Sequence, residues 1–406
     1  MTTAFESFKG LTRASIGRPL VLWGAGNIAV KTMRRVGDRV SLVCDNSANM
    51  WGGRQDGIEI VDPPSLRSRC EDAYIVICTT SFREVSLQLE NMGYQAGHDF
   101  MISPILNDLR IIDEMENLHV RLLFSSGMQP SDDPLGGGGV YEIVVRGSEW
   151  TYRKVVSGSC YSIAVRGEHF WTVDDKLGLI EMGSDYNVIR NRPLPTRSRG
   201  HGLAFDDEEG LFYIACSSRD AVLAYDSDFQ HCRTLPLSEK HEREGGPFHH
   251  TNDCCIVGDS LYVSMFSETG NWKRDVFDGA VVEFDLRTGK KIGTPIRDLW
   301  MPHNIAFING GLMVLDSLRG ALRGNNASVL GKFPAFARGL AHNGDLYFIG
   351  QSRNRNFFRN VGLSNNISID TGVTVFDEIT KVSRTLQLPS KVSEIHGIAV
   401  LPGKQG

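Results

Sequence analysis

A polar residue opens each of six copies of a short phrase in the second part of the chain, and in three copies it is histidine. The six opening residues are Tyr161, His201, Asn252, His303, Arg338 and His396, and His250 stands two residues before the Asn copy. Imidazole nitrogens ligate Zn, Mn or Fe, whereas amide and carboxylate oxygens suit Mg or Ca. If the copies meet around one axis, we expect a divalent metal held by His201, His250, Asn252, His303 and His396. The alternative is a polar, water-filled channel without an ion.

Carboxylates and a guanidinium near these positions could supply the remaining chemistry. Asp316 and Glu268 follow strand ends one layer further out and are the carboxylates best placed to act as a general base. Arg338 or Arg353 could clamp a carboxylate or phosphate through two parallel hydrogen bonds. We therefore predict Asp316, Glu268, Arg338 and Tyr161 as catalytic residues. The simpler alternative is that strand-end Asp and Ser side chains satisfy loop backbone groups.

The repeated phrase also identifies the elements that carry these side chains. Each copy spans short apolar strands, and the copies recur about every 35 to 55 residues, which is typical of a β-propeller. The copy at His396 has no strand after it. Residues 120–126, 140–146 and 151–156 read as the missing strands of its blade. The sequence therefore predicts an all-β six-bladed β-propeller closed by the C-terminal strand, because an open ring would leave unpaired strand edges.

The first 104 residues have a different pattern. An apolar strand runs through Gly24-Ala-Gly-Asn27 into a predicted helix, and Asp45 ends the next strand about 20 residues later. Such glycines let the backbone approach a pyrophosphate, and the acidic residue can accept hydrogen bonds from ribose hydroxyls. We predict a small α/β Rossmann-like domain whose Gly24, Gly26, Asn27 and Asp45 bind a nucleotide sugar or NAD. A purely structural βαβ unit is the alternative.

Longer phrases in this N-terminal segment resemble a known family. Asp45-Asn-Ser-Ala-Asn-Met-Trp-Gly-Gly followed by Gly57-Ile-Glu-Ile-Val-Asp-Pro-Pro is similar to the sugar-nucleotide or NAD-type domain of bacterial polysaccharide-biosynthesis enzymes. The resemblance covers about residues 18–104. It implies a class of ligand rather than a reaction.

The later part resembles the six-bladed superfamily of gluconolactonase, senescence marker protein, paraoxonase and strictosidine synthase. The resemblance rests on Thr251-Asn-Asp-Cys-Cys-Ile-Val and on Pro302-His-Asn-Ile-Ala-Phe. In the lactonase branch the first phrase supplies a metal-binding amide, which maps to Asn252. The second place usually holds another Asn, and here His303 occupies it. With His201 and His396, this departure looks closer to streptogramin B lyase and oligogalacturonate lyase, which implies metal-assisted proton abstraction.

Composition narrows the class of protein. The 406 residues carry a net charge of −5, which provides no concentrated basic face for nucleic acid. No apolar run of 18 residues or N-terminal export signal stands in the sequence, and the eight cysteines show no metal-type spacing, so we expect a cytoplasmic protein with no membrane partner. We predict a nucleotide-binding domain over 1–104, a linker helix over 105–118 and the propeller over 119–406. The oligomeric state stays open, a homo-oligomer included.

These patterns lead to one functional hypothesis and two alternatives. The first is an enzyme of glycan or glycosylated-metabolite biosynthesis that acts on a nucleotide-activated sugar or related carbohydrate, with a metal-assisted site in the propeller channel. The second is a metal-dependent lactonase or lyase whose N-terminal domain senses a nucleotide. The third is a non-catalytic binding propeller.

Overall fold

The chain divides into two compact units, Met1–Glu114 and Met115–Gly406. The computed structural model describes residues 5–324, 328–359 and 366–402. The boundary between the units lies inside the predicted linker over 105–118. That segment contains a 3-10 helix at Pro104–Leu109 followed by the helix Arg110–Glu116.

The first unit is built on a six-stranded sheet with short helices in its connections. In chain order its strands are β1 (Leu20–Trp23), β2 (Val40–Cys44), β3 (Arg54–Gln55), β4 (Ile58–Val61), β5 (Tyr74–Ile77) and β6 (Phe100–Ile102). Its described helices are α1 (Phe8–Ala14), α2 (Asn27–Val36), α3 (Leu66–Arg69) and α4 (Phe82–Asn91), and α5 (Arg110–Glu116) contains the boundary with the second unit. The strand order in the sheet is β3-β4-β2-β1-β5-β6.

The prediction of a Rossmann-like domain is wrong for this unit. Its sheet is mixed, because β3 pairs antiparallel with β4 through a tight turn at Asp56 and Gly57, both of which have positive φ. An Asp-Gly pair favours such a two-residue hairpin, a signal that the sequence carries and that the prediction overlooked. Among the described helices of the unit, only α2 and α4 reach ten residues. A four-residue helix, α3, stands where a doubly wound fold needs a long crossover helix between β4 and β5.

The second unit is a six-bladed β-propeller, as predicted, and each blade is a four-stranded antiparallel sheet. Blade 1 contains β10 (Cys160–Arg166), β11 (His169–Asp174), β12 (Gly178–Met182) and β13 (Val188–Arg192). Blade 2 contains β14 (Gly200–Asp206), β15 (Leu211–Cys216), β16 (Ala221–Tyr225) and β17 (His231–Pro236), and the helix α6 (Glu239–Glu244) follows it. Blade 3 contains β18 (Thr251–Val257), β19 (Ser260–Met265), β20 (Gly279–Asp285) and β21 (Lys291–Leu299).

The remaining blades complete the ring. Blade 4 contains β22 (Pro302–Ile308), β23 (Gly311–Asp316), β24 (Ala321–Arg323) and β25 (Val329–Lys332). Blade 5 contains β26 (Phe336–His342), β27 (Tyr347–Ser352), β28 (Thr371–Phe376) and β29 (Ser383–Leu388). In blade 6 the C-terminal strand β30 (Gly397–Leu401) is innermost and pairs with β7 (His119–Ser126), followed by β8 (Gly139–Arg146) and β9 (Glu149–Ser157). The predicted closure by the C-terminal strand is confirmed.

Burial along each blade follows from the packing of blades face to face. All residues of the middle strands β12, β16 and β28 are buried, because both faces of these strands lie against neighbouring blades. The outermost strands β13 and β17 are mostly exposed and carry charged residues. Apolar packing between neighbouring blades therefore stabilises the ring, and polar side chains lie at the start of each inner strand. Within the described ranges, no helix has the length and apolar content needed to cross a bilayer.

Candidate functional site

The inner strands begin around a cavity of about 420 Å³ in the propeller. One predicted residue from each blade lines it, in blade order Tyr161, His201, Asn252, His303, Arg338 and His396. Each of these side chains is less than a tenth exposed. His250 also lines the cavity. The structure therefore brings together all five predicted metal ligands and two of the four predicted catalytic residues.

Pairing irregularities occur at the start of the inner strands in blades 1 to 5, where most of the ring residues lie. In each of blades 1 to 5, the pairing of the first strand with the second skips residues at the cavity end: between Cys160 and Ile163, Gly200 and Gly202, Thr251 and Asp253, His303 and Ile305, and Ala337 and Leu340. A bulge leaves the extra residue unpaired and redirects its side chain. His201 and Asn252 are themselves bulged, and Arg338 lies within the bulge of blade 5. The skipped residues thus include four members of the ring, because Tyr161 is also skipped in blade 1, whereas His303 pairs with Leu315 and His396 precedes β30.

The imidazoles lie close to one another and to Tyr161. The ring centroid of His201 lies 5.9 Å from that of His250 and 6.1 Å from that of His396. The Tyr161 ring lies between His201 and His396, with centroid distances of 4.5 and 4.8 Å. Its hydroxyl donates to Oδ2 of Asp175 at 3.1 Å.

The four imidazoles are neutral at pH 7. Burial lowers the pKa of His250 to about 3 and that of His396 to about 4. Burial likewise holds the pKa values of His201 and His303 well below the ordinary value, and the neighbouring His and Arg side chains lower them further. Each ring therefore has a nitrogen lone pair that can accept a proton or a hydrogen bond.

His201 has unused hydrogen-bonding capacity. Neither of its ring nitrogens has a hydrogen-bond partner among the described residues, and the side-chain amide nitrogen of Asn252 also lacks one. Buried polar atoms are rarely left without a partner in folded proteins, and such exceptions occur at functional sites. A ligand in the cavity would supply the missing partners.

His303 is held in one orientation. Its Nδ1 lies 2.9 Å from the carbonyl oxygen of Met301 and 2.8 Å from Oγ of Ser317. Because a carbonyl oxygen can only accept, Nδ1 carries the proton of the neutral ring. The lone pair of His303 is therefore on Nε2.

Arg338 is a buried cation with incomplete pairing. Its Nη1 lies 3.0 Å from Nε2 of His396, and its Nη2 lies 3.8 Å from Oε2 of Glu394, beyond hydrogen-bond distance. Its Nε has no partner among the described residues. Burial lowers the pKa of Arg338 to about 10, so the guanidinium stays charged at pH 7.

Glu394 lies at the other end of this group. Its Oε1 pairs with Nη1 of Arg355 at 2.8 Å, and its Oε2 lies 3.0 Å from Nε2 of His396. Burial raises the pKa of Glu394, but the hydrogen bond with His396 and the charge of Arg338 outweigh it and lower the pKa to about 2. Arg355 forms the shorter ion pair with this carboxylate, at 2.8 Å against 3.8 Å for Arg338, and Nε of Arg338 stays available for a further anion.

The arrangement does not fit the predicted divalent metal. Among residues 5–324, 328–359 and 366–402, no group of three or more His, Cys, Asp or Glu side chains is arranged to hold a metal ion. The Arg338 guanidinium beside His396 would also repel a bound cation.

Asp316 and Glu268, the other two predicted catalytic residues, do not line the cavity. Asp316 is fully buried at the end of β23, where it accepts from the Trp300 backbone N–H at 2.7 Å and pairs with Arg319 and Arg323. Glu268 lies outside the ring and pairs with Lys291 at 2.8 Å and Arg297 at 3.3 Å. The structure does not bring either carboxylate to the imidazoles.

The predicted nucleotide loop is stabilised by its own residues. Gly24 has a φ of 112° and donates its backbone N–H to the Cys44 carbonyl at 2.7 Å, and an added Cβ would lie 2.9 Å from the Cys78 carbonyl oxygen. Asp45 accepts from the Ala25 backbone N–H at 2.7 Å and from Ser47 at 2.8 Å. Gly26 caps α2, which begins at Asn27. Asp45 thus closes the loop on itself, and the nucleotide site stays a prediction.

The sequence predictions missed several residues that line the cavity: Asp175, Arg199, Phe266, Met301, Phe336, Arg355 and Glu394. Arg199 and Glu394 each stand two residues before a histidine of the ring, so the position just upstream of the repeated phrase carries the signal for them. Phe266 and Phe336 contact the ring of His303, with centroids 5.3 and 5.4 Å away. No periodicity in the sequence distinguishes these two aromatics from core residues.

The chain is similar to one protein family and to solved structures of other proteins. Residues 250–406 match a family described as a domain of unknown function, DUF4915. No curated protein matches the chain. A protein of unknown function from Bacteroides caccae is similar in structure, with a TM-score of 0.50 and 13% identity over 70% of this chain and 100% of that one.

Two further solved structures match with lower scores. Regucalcin, a calcium-binding protein from Agrobacterium tumefaciens, has a TM-score of 0.42 and 14% identity over 57% of this chain and 75% of its own. A catalytically inactive virginiamycin B lyase from Staphylococcus aureus, solved with quinupristin, has a TM-score of 0.37 and 12% identity over 66% and 85% of the two chains. At such scores and identities nothing further about this chain follows from these two matches. The six-bladed architecture is shown by the sheets of the second unit itself, and the resemblance of the N-terminal segment is not confirmed.

Proposed function

We propose that the propeller channel binds a carbohydrate that bears a carboxylate and cleaves it as a lyase, by β-elimination. One observation carries the proposal: Arg338, a buried and incompletely paired cation, lines the same cavity as His201, a neutral imidazole with two unpartnered nitrogens. Carboxylate recognition and proton abstraction are the two capacities that elimination from a uronate requires.

Arg338 supplies the first capacity. A guanidinium binds a carboxylate through two parallel N–H donors, and Nε and Nη2 of Arg338 form one such edge. Nε has no hydrogen-bond partner among the described residues, and Nη2 lies 3.8 Å from Oε2 of Glu394, beyond hydrogen-bond distance. Neutralising the substrate carboxylate makes the hydrogen on the adjacent carbon more acidic, since negative charge develops there as the proton leaves.

His201 and Tyr161 supply the proton transfers. His201 is neutral, so one of its ring nitrogens carries a lone pair that can accept a proton from carbon as a general base. Burial raises the pKa of Tyr161, so its hydroxyl stays protonated and can give a proton to the leaving oxygen. The two rings lie 4.5 Å apart, which places base and acid at adjacent positions of the cavity.

The step balances with these groups alone. His201 takes the proton from the carbon next to the carboxylate, and the C–H electron pair forms a carbon–carbon double bond. The bond from the neighbouring carbon to the glycosidic oxygen breaks, and that oxygen takes the proton of Tyr161. The products are an unsaturated uronate and a free hydroxyl. Release of the proton from His201 and reprotonation of Tyr161 restore both groups.

The test is incubation of the full chain with polygalacturonate, alginate and hyaluronan. We expect ultraviolet absorbance from an unsaturated uronate with at least one polymer, and its loss in His201→Gln. A matched control is His231→Gln, because His231 is exposed on the outer strand β17 and does not line the cavity. Cleavage without a double bond would indicate a hydrolase and contradict elimination. Failure to bind any of the three polymers would contradict the proposed substrate class.

A further inference from the structure

Three residues that line the cavity have the same unusual backbone conformation at the same place in successive blades. Arg199, His250 and Met301 each stand immediately before an inner strand, in blades 2, 3 and 4, and have φ values of 48°, 53° and 53°. Non-glycine residues seldom adopt this left-handed conformation because Cβ approaches the backbone. All three side chains line the cavity. Strain of this kind persists at sites where it positions a functional group.

Neighbouring side chains do not account for the position of Arg199. Its guanidinium is exposed and has no ion pair or hydrogen bond among the described residues, whereas Arg355 at the same cavity pairs with Glu394 at 2.8 Å. Its backbone carbonyl accepts from the Ser217 N–H at 3.1 Å, which fixes the main chain only. After burial, the charge of Arg199 is the largest influence that lowers the pKa of His250. Arg199 is therefore an unpaired cation that faces the imidazoles.

Arg199 and Arg338 lie on opposite sides of the channel. Arg199 belongs to blade 2 and Arg338 to blade 5, three blades apart in a ring of six. Arg338 is 4% exposed, whereas Arg199 is exposed. The cavity therefore has one buried cation and one solvent-facing cation, contributed by blades that stand opposite each other in the ring. A ligand with two anionic groups could place one on each cation.

We infer that Arg199 is a second anion-binding residue of the channel, and that the ligand carries two anionic groups, as two linked uronates do. This inference rests on the proposed function for the carbohydrate nature of the ligand. It adds that chain length determines affinity, because the second uronate reaches Arg199. The left-handed backbone before β14 turns the Arg199 side chain toward the cavity.

A matched pair of variants separates binding from backbone strain. Arg199→Gly removes a cation and relieves a left-handed residue. Arg197→Gly does the same two residues earlier, since Arg197 has a φ of 61°, is exposed and does not line the cavity. We expect both variants to raise Tm slightly, by about 1 °C, because glycine adopts positive φ without steric cost. Only Arg199→Gly should weaken binding of digalacturonate, about fivefold to tenfold, with galacturonate bound as by the wild type.

Calorimetric titration of the full chain with digalacturonate and with galacturonate measures the two Kd values. Ultraviolet absorbance shows whether digalacturonate is cleaved during the titration. If wild-type protein binds digalacturonate and Arg199→Gly binds it equally well, the inference is overturned and the proposed function stands. If the two Gly variants weaken binding equally, general charge accounts for the effect and the inference is also overturned. A wild-type protein that binds neither sugar overturns the proposed function together with this inference.

Discussion

Replacing Arg338 by Met removes the buried cation of the channel and keeps a side chain of similar length. The Arg338 guanidinium carbon lies 5.0 Å from the centre of the Phe336 ring, and a Met side chain can retain that apolar contact. Glu394 keeps Arg355 at 2.8 Å and His396 at 3.0 Å, so its carboxylate is not left alone. We therefore expect the variant to fold, with a loss of stability of about 1–3 kcal/mol from the broken contacts around Glu394.

Binding should fall much further than stability. A charge-assisted hydrogen bond contributes about 1.5–3 kcal/mol, and a carboxylate held by two such bonds from Arg338 would lose about 3–4 kcal/mol in the Met variant. Since about 1.4 kcal/mol is a tenfold change, the Kd for galacturonate should rise at least about 100-fold. Arg287→Met is the control, because Arg287 is exposed between the outer strands β20 and β21.

Isothermal titration calorimetry with galacturonate measures the Kd of both variants, and near-ultraviolet circular dichroism checks that both are folded. Kd values for galacturonate that agree within about threefold between Arg338→Met and Arg287→Met, a difference of less than about 1 kcal/mol, would refute the role of Arg338 in binding the carboxylate.

Three further outcomes follow from the structure. Burial raises the pKa of Asp253 to about 7, so its protonated form favours the folded state, and this stabilisation is present below the unfolded pKa and is lost as pH rises through 7. Asp253→Asn should therefore raise the free energy of unfolding at pH 8 by about 2–4 kcal/mol. An unchanged midpoint of urea unfolding at pH 8 would contradict this. Asp316→Asn should lower Tm and leave uronate turnover within about threefold of the wild type, because Asp316 pairs with Arg319 and Arg323 away from the cavity. A loss of turnover at unchanged Tm would instead support its predicted catalytic role. Treatment with a chelator should leave digalacturonate affinity unchanged, and a weakened affinity that Zn²⁺, Mn²⁺ or Ca²⁺ restores would instead support the predicted metal site.

The blades were predictable because their signal repeats. Six copies of one phrase, the last of which lacks a following partner strand, predicted a closed ring, and β30 pairs with β7 in the register Gly397↔Ser125. Convergence of the ring residues followed from the same symmetry. The bulges could not be predicted from the sequence, because a bulge is a property of the pairing between two strands and not of either strand alone.

Charge balance at the site was the part that sequence could not provide. Arg338 and His396 both open repeated phrases, but only the fold places Nη1 of Arg338 3.0 Å from Nε2 of His396, which changes the expected ligand from a cation to an anion. Asp316 shows the reverse error. Its position at a strand end suggested a base, yet its carboxylate bonds to Trp300 and two arginines inside its own blade and loop.

In the N-terminal unit, a correct local pattern supported a wrong fold. The strand, glycine turn and helix over β1 and α2 are present, and Asp45 follows β2 as predicted. The long-range arrangement differs because the Asp56–Gly57 hairpin adds an antiparallel strand and α3 is too short for a full crossover. A local motif of this kind determines the turn between one strand and the following helix, and it does not determine the direction of the other strands in the sheet.

A structure of the full chain with digalacturonate tests the central claim most directly. The account predicts one carboxylate on Nε and Nη2 of Arg338 inside the channel, with the adjacent carbon facing a nitrogen of His201. It would be contradicted by a channel that excludes the sugar, or by a metal ion bound jointly by His201, His303 and His396.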